Sequence, residues 1–331
     1  MTEIKDGTKD ATEVQIQKLI DELRTKMTDK SFGPKEQGDL VRKIVGTKSW
    51  LVIEPLEKLI KEEKCPDITK VKVLEELGKY GEPRVIRIIA DYVKDKSNMV
   101  KSAAIKGLSM ITNPKVIQPL LDSLNDADKW NRIFAIHGLQ KNENKKVVKG
   151  LVERLGDQED QVRQEALQVL DKFRKDFLIE DVVAGLASEN RFIKFGAATL
   201  IGNKLIDEGV PELIKMLDGD DRRLAIIAAR SLEKIGNQSC VPRLLIKAMK
   251  ESGNEDPVKS IFALSIYNMG EIAIQPLIIS YLATQDDKTK VVIIKILKKF
   301  GDRPDKEIDE MLKNPENEKN AATLAELKNK L

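Results

Sequence analysis

Alanine and leucine recur along this chain in a fixed helical arrangement. Five alanines spaced 31 residues apart are each followed, four residues later, by Leu or Ile. The alanines are Ala104, Ala135, Ala166, Ala197 and Ala228, and their partners are Leu108, Leu139, Leu170, Ile201 and Leu232. Because residues four apart share one face of a helix, each pair marks a helix with an apolar inner face. A repeat of this length over most of a chain predicts a helical solenoid.

A series of basic residues keeps the same period. Its members are Lys70, Lys101, Arg132, Arg163 and Lys194, followed after a break at Ala225 by Lys259 and Lys290. A short insertion near residues 252–254 separates the two parts of the series. Polar turns place Asp95, Asp126 and Asp157 six residues before three of the basic positions. An aspartate in such a turn can cap the helix that follows, so we predict a structural role for these residues.

The repeats predict how the whole chain is organised. Residues 1–49 form a polar tail and two capping helices, at Thr12–Met27 and Lys35–Val45. Residues 50–303 form eight repeats of about 31 residues, each with two helices. Residues 304–331 form a degenerate repeat whose polar surface caps the other end. No segment alternates between apolar and polar residues as a strand would, so we predict an all-α chain.

One segment makes a family resemblance visible. Residues 151–170, LVERLGDQEDQVRQEALQVL, join a helix, a turn with Asp157 and a second helix opening with Val162 and Arg163. This arrangement resembles the HEAT repeat, in the short form of the PBS-lyase HEAT-like proteins, and the resemblance covers roughly residues 50–303. It implies a right-handed α-solenoid, a HEAT-like superhelix of about nine helix pairs plus an N-terminal helical cap. It also implies that the turn aspartates and the basic series bond across neighbouring repeats as a ladder.

Four positions depart from the family pattern and weaken the expected ladder. Asn131 replaces the valine, Ser188 and Gly219 replace the turn aspartate, and Ala225 replaces the basic residue. The last three fall in the fifth and sixth repeats, where the ladder is therefore least certain to continue.

Composition narrows the function classes. Lys and Arg number 57 against 54 Asp and Glu, a net charge of +3, which is too balanced to indicate nucleic acid or an anionic membrane. The two cysteines, Cys65 and Cys240, make no disulfide framework and fit a reducing compartment. The N-terminal residues carry no apolar signal segment, and no apolar run is long enough to span a membrane. We expect a cytoplasmic protein.

Candidate chemistry is sparse. His137 is the only histidine, so a hydrolytic triad or a histidine-based metal site would rest on it alone. Among HEAT-like enzymes, deoxyhypusine hydroxylase holds iron with several His-Glu pairs, which one histidine cannot supply. The HEAT-like alkylpurine DNA glycosylases need aromatic residues and an aspartate in a basic cleft, for which Trp130 and Arg132 are only faintly suggestive. We expect no enzyme activity, no cofactor and no metal.

A partner site is predicted on the second helices, which line the concave face in this family. Apolar residues replace the usual polar ones beside the ladder, close to basic side chains. The predicted site consists of Trp130, Ile133, Arg132, Phe192, Lys194, Phe195, Ile226 and Arg230. Aromatic residues and Arg dominate interface energies, so we expect another protein or a peptide segment, apolar with acidic flanks.

Other interpretations of these residues remain open. The apolar side chains could pack locally between repeats instead of facing a partner. The basic ladder could form a groove for an acidic partner, and a nucleic-acid-binding or DNA-repair HEAT-like protein is the alternative function. The lysines of the last full repeat, from Lys288 to Lys299, could equally be a solvated face.

Overall fold

The structure, a computed structural model, describes residues 6–29, 32–252 and 255–331. Within these ranges every regular element is helical and no strand occurs, which confirms the prediction of an all-α solenoid. The chain divides into two compact units, one ending at Leu170 and the other beginning at Asp171. We describe each unit by itself.

Twenty α-helices follow one another along the described residues. Ten begin in the first unit: α1 Asp6–Lys26, α2 Pro34–Val45, α3 Ile53–Lys61, α4 Asp67–Tyr80, α5 Val85–Ala90, α6 Asn98–Met110, α7 Ile117–Ser123, α8 Lys129–Leu139, α9 Lys145–Arg154 and α10 Asp160–Lys172. Ten lie in the second unit: α11 Lys175–Leu186, α12 Arg191–Lys204, α13 Val210–Asp218, α14 Arg222–Ile235, α15 Val241–Glu251, α16 Ile261–Asn268, α17 Ile274–Ala283, α18 Asp287–Lys298, α19 Arg303–Lys313 and α20 Ala321–Lys330.

Short 3-10 turns precede several of these helices. They span Trp50–Val52, Pro114–Val116, Asp207–Gly209, Gln238–Cys240, Pro257–Lys259, Gly270–Ala273 and Pro315–Asn320. Polar side chains then cap many of the second helices of the pairs: Asp128 accepts a hydrogen bond from the Trp130 amide, and Asp221 accepts from the Arg223 and Leu224 amides. These bonds satisfy N–H groups that the first turn of a helix leaves without a partner.

Even-numbered helices are the second helices of the pairs. In the first unit α2, α4, α6 and α8 pack side by side, and in the second unit α12, α14 and α16 do so. Small residues let them approach: a Cβ added to Gly78 would lie 2.5 Å from the Gly107 Cα, and one added to Gly138 would lie 2.8 Å from the Ser109 Cα. In the second unit a Cβ on Gly202 would lie 2.8 Å from the Ser231 Cα. The odd-numbered helices form the other layer, and the apolar core lies between the two layers.

Two local predictions need correction. The first capping helix begins at Asp6, earlier than the predicted Thr12, so it includes part of the expected polar tail; residues 1–5 lie outside the described residues. In the seventh repeat the basic series predicts Lys259 at the opening of the second helix, as Arg163 is in its own repeat. Instead Pro257 opens a 3-10 turn that contains Lys259, and α16 begins only at Ile261 after its cap, Ser260. Residues 253–254 of the predicted insertion also lie outside the described residues.

Both cysteines are buried. Burial raises the pKa of Cys65 to about 11 and the pKa of Cys240 to about 12. The Cys240 Sγ lies 3.9 Å from the Met269 Sδ. Thiols in such surroundings behave as small apolar side chains.

Candidate interaction site

In the first unit, Trp130 lies on the exposed surface of the second helices. It is the second residue of α8, where the cap at Asp128 fixes its backbone, and 49% of its surface is accessible. The Lys129 Nζ lies 5.5 Å from the centre of its ring. Met99, the residue at the same repeat position on α6, is also exposed. These two side chains are available to a partner.

Ile133 and Arg132 do not share this exposure, which corrects their prediction as partner-binding residues. Ile133 is 3% exposed and Arg132 is 4% exposed. A step of three residues turns a helix by about 300°, so Ile133 points about 60° away from Trp130. That rotation carries it from the exposed side of α8 to the buried side.

Arg132 instead holds two turns together. Its Nη2 donates to Asp157 Oδ1 at 2.7 Å, and its Nη1 donates to the carbonyl oxygens of Asp126 and Ala127 at 2.8 and 3.1 Å. The Arg154 Nη1 lies 3.6 Å from the other oxygen of Asp157. Two guanidinium groups therefore flank one buried carboxylate, as expected of a charge that must be paired when it leaves water.

The ion pair between Arg132 and Asp157 is one rung of the predicted ladder. The neighbouring rung is the ion pair between Lys101 and Asp126, whose charged atoms lie 2.8 Å apart. Burial alone would raise the pKa of Asp126, but hydrogen bonds from Lys101, the Asp128 amide and Asn131 outweigh it and keep that pKa below its usual value. Asn131 is fully buried and also accepts a hydrogen bond from Ser102 at 2.6 Å. The departure from valine at this position thus adds a polar bridge between α6 and α8.

Elsewhere the ladder departs from the prediction. Asp95 accepts from the Ser97 amide of its own turn, and Lys70 has no carboxylate within ion-pair distance among the described residues. Arg163 donates to the carbonyl oxygens of Asp157 and Gln158 at 2.7 and 3.1 Å and to Asp160 at 3.0 Å. It thereby braces its own turn.

The remaining three basic positions lie in the second unit. Over the ranges that the structure describes, Lys194 and Lys259 have no ion pair, and the Lys290 Nζ lies 5.4 Å from the centre of the Tyr281 ring. Lys259 belongs to the 3-10 turn before α16 and not to a second helix, because Pro257 opens that turn.

In the second unit, Phe192 and Phe195 are exposed near the start of α12. Their accessible fractions are 44% and 45%, and the Asn190 side chain accepts from the Phe192 amide at 2.9 Å. Ile226 and Lys194 are half-buried, and Arg230 is exposed on α14. The predicted site is therefore divided between the units, with Trp130 in the first and five of its residues in the second.

Sequence reasoning missed three exposed apolar residues on the second helices of the second unit. They are Leu264 and Tyr267 on α16 and Val291 on α18. Leu264 stands five residues after Lys259, as Arg230 does after Ala225, and Val291 follows Lys290 as Phe195 follows Lys194. The search for apolar residues at usually polar positions, continued from Lys259 and Lys290, would have found Leu264 and Val291.

Comparison with known proteins identifies the repeat. The family model for HEAT repeats matches residues 53–140 and again residues 118–199. This chain is a HEAT-repeat protein. No curated protein matches its sequence. Such repeat solenoids typically serve as scaffolds for protein interactions.

Solved structures share the fold at low sequence identity. A mutant of Kap121p is 12% identical with a TM-score of 0.57, and the match covers 89% of this chain and 39% of that one. Human deoxyhypusine hydroxylase is 16% identical with a TM-score of 0.33, covering 79% and 98%. The CpcE–CpcF complex of phycocyanin lyase from Nostoc sp. PCC7120 is 16% identical with a TM-score of 0.35, covering 75% and 94%. The first of these similarities establishes a shared helical-repeat fold and nothing about activity.

His137 lies on the second-helix surface of this HEAT-repeat protein. It is exposed, and its Nε2 lies 2.9 Å from the Glu165 Oε2 on the next second helix. Among the described residues no group of three or more His, Cys, Asp or Glu side chains is placed to hold a metal ion. The geometry gives His137 a role in joining neighbouring repeats.

The part of the chain that the structure describes contains no single helix long and apolar enough to cross a membrane. One pair, Ile261–Asn268 with Gly270–Ala283, meets that length and composition only when taken together, and it is bent by 117°.

Proposed function

We propose that this HEAT-repeat protein is a non-catalytic scaffold that binds a segment of another protein along its second helices. The observation that carries the proposal is the exposure of large apolar side chains at repeat positions that are usually polar. Trp130, Phe192 and Phe195 each leave more than two fifths of their surface accessible. Exposed aromatic residues of this size are the kind that anchor protein interfaces.

Within each unit, glycine or serine lies where several second helices meet, so these helices are closely spaced. Such a row of repeats suits an extended partner because successive repeats offer successive contacts.

A photo-crosslinking experiment tests the proposal. A photoreactive phenylalanine analogue is placed at Phe195 or Trp130 in the full chain, and in a control at Ile279, which is equally exposed on the first-helix layer. We expect a discrete protein crosslink from positions 195 and 130 and not from 279. The purified partner should then bind the wild-type chain at least about tenfold more tightly than the Phe195→Ala variant, a difference of about 1.4 kcal/mol.

Two outcomes would contradict the proposal. One is equal crosslinking from the control position, which would show that the surface is not selective. The other is crosslinking to nucleic acid alone, which would favour the alternative of a nucleic-acid-binding HEAT protein.

A further inference from the structure

Charge is distributed unevenly between the two helix layers of the second unit. The second helices α12, α14, α16 and α18 carry eleven Lys and Arg residues against two acidic ones. The first helices α11, α13, α15 and α17 carry five basic residues against six acidic ones. The near-neutral total of the chain therefore conceals one strongly basic layer.

Several of these basic side chains have no acidic partner. Among the described residues, Arg223, Arg230 and Lys298 have no carboxylate within ion-pair distance. In contrast, Lys295 lies 3.0 Å from the Asp256 carboxylate, and Arg222 lies 3.2 Å from that of Glu251. A charge without a partner can bind an incoming carboxylate without first breaking an ion pair of the protein.

Apolar side chains are interleaved with these charges on the same surface. Phe195, Leu264, Tyr267 and Val291 are exposed by 45%, 43%, 39% and 51%. Leu264 and Tyr267 share one face of α16, since residues three apart are neighbours on a helix. The surface thus offers apolar contacts on α12, α16 and α18, with basic side chains on α12, α14 and α18.

This combination of exposed apolar and basic side chains favours a protein segment over nucleic acid as the partner. Single-stranded nucleic acid is held by aromatic rings on which bases stack. Leu264 and Val291 are aliphatic, and the Tyr267 ring is already flanked by the Phe300 ring at 5.2 Å and the Lys299 Nζ at 5.8 Å. Aliphatic side chains beside unpaired basic ones complement a segment that carries both apolar and acidic residues.

The size of the surface sets the length of the segment. Packed helices lie about 8–10 Å apart, so four second helices present a strip on the order of 30 Å long. A helix of about 20 residues spans that distance.

We propose that the second helices of the second unit bind an acidic amphipathic segment of a partner protein, with Arg230 and Leu264 at the centre of the contact. The proposal rests on the proposed scaffold function and specifies the chemistry of the partner.

Fluorescence anisotropy with a defined probe tests this proposal. The probe is a fluorescein-labelled peptide of about 20 residues built from repeated Glu-Glu-Leu-Leu units. Companion probes replace Leu by Ser, replace Glu by Lys, or are single-stranded oligothymidylate of similar length. We expect the full chain to bind the acidic apolar peptide at physiological salt and to bind each companion at least about tenfold more weakly, a discrimination of the size that interface anchors provide.

Matched variants separate the two helix layers. Arg230→Glu and Leu264→Ser alter the proposed contact on α14 and α16. Lys250→Glu and Ile246→Ser make the same changes on α15 of the first-helix layer, at side chains that are also exposed. We expect the first pair to weaken peptide binding at least about tenfold and the second pair to change it less than about twofold. Because Arg230 is exposed, Arg230→Glu alone tests the site without disturbing the core.

Three results would overturn the proposal. Equal losses in both pairs of variants would show that net charge alone attracts the peptide. Tight binding of oligothymidylate with a steep salt dependence would show a nucleic-acid surface. Failure of the wild-type chain to bind the acidic peptide would exclude an acidic partner, while the crosslinking experiment would still decide whether the chain is a protein scaffold.

Discussion

At the scale of single residues, the buried carboxylate of Asp157 joins several elements of the first unit. Arg132 and Arg154 approach its two oxygens from different helices, and the Glu159 amide donates to it as well. The pair of Arg132 and Asp157 is almost completely buried, with side-chain exposures of 4% and 3%. Removing one partner of such a pair leaves an uncompensated charge in a medium that solvates it poorly.

We therefore expect Arg132→Ala to lower the free energy of unfolding by about 3–5 kcal/mol. Arg163→Ala should cost less, about 1–3 kcal/mol, because Arg163 bonds mainly to carbonyl oxygens and a solvated carboxylate of its own turn. Urea denaturation followed by circular dichroism measures both. Lys58→Ala, which removes an exposed pair with Glu54, is the control and should change stability by no more than about 1 kcal/mol. Equal losses for all three variants would contradict this ranking.

The 31-residue spacing predicted which residues form rungs only where the turn aspartate is present on both sides. Lys101 and Arg132 each reach the aspartate of the following turn. In the sequence, the turn that follows Arg163 carries Ser188 in place of aspartate, and the turn that follows Lys194 carries Gly219. Spacing places the basic residue, but the neighbouring turn decides whether a carboxylate is within reach.

At the scale of elements, small residues determine how closely second helices pack. Gly78 meets Gly107, Ser109 meets Gly138, and Gly202 meets Ser231, whose hydroxyl donates to the Ala198 carbonyl oxygen at 2.7 Å. In each pair, one member lies eight residues after the basic position of its repeat, and the other lies six residues after the basic position of the next repeat. For Ser231 that position is occupied by Ala225. This pairing has a period in the sequence, but its meaning appears only when the helices are side by side.

Gly78→Ala should destabilise the first unit by about 1–3 kcal/mol, because the new methyl group would meet backbone atoms that cannot move aside. This loss exceeds the gain of up to about 1 kcal/mol that Ala brings to a helix interior. Gly38→Ala is the matched control, since its Cβ would only touch the flexible Lys72 side chain at 3.4 Å. We expect Gly38→Ala to leave stability unchanged or raise it, as judged by thermal unfolding. A stabilising Gly78→Ala would show that these helices have room to separate.

At the scale of the whole molecule, the apolar residues of the proposed binding surface are separate from those of the core. Phe262 is 1% exposed and belongs to the core, whereas Trp130 and Phe192 are each close to half exposed. Exposed apolar side chains contribute little to folding because their environment changes little between the unfolded and folded chain.

The double change Trp130→Ala and Phe192→Ala should therefore lower the free energy of unfolding by no more than about 1 kcal/mol and leave the helical circular dichroism signal intact. It places one change in each unit and should weaken binding of a partner identified by crosslinking. Phe262→Ala is the control for a buried ring and should cost about 3–5 kcal/mol. Loss of the helical signal in the double variant would mean that the two rings hold the repeats together.

The sequence by itself determined the helical repeat, its period and the layer on which candidate side chains lie. These follow from local periodicity, because a helix places every third or fourth residue on one face whatever its neighbours are. Only the tertiary structure decided that Ile133 is buried while Trp130 is exposed. It alone also showed that Lys70, among the described residues, lacks the ion pair that Lys101 and Arg132 each form. Exposure and ion pairing depend on what the adjacent repeat places against each side chain, and a single helix does not encode that neighbour.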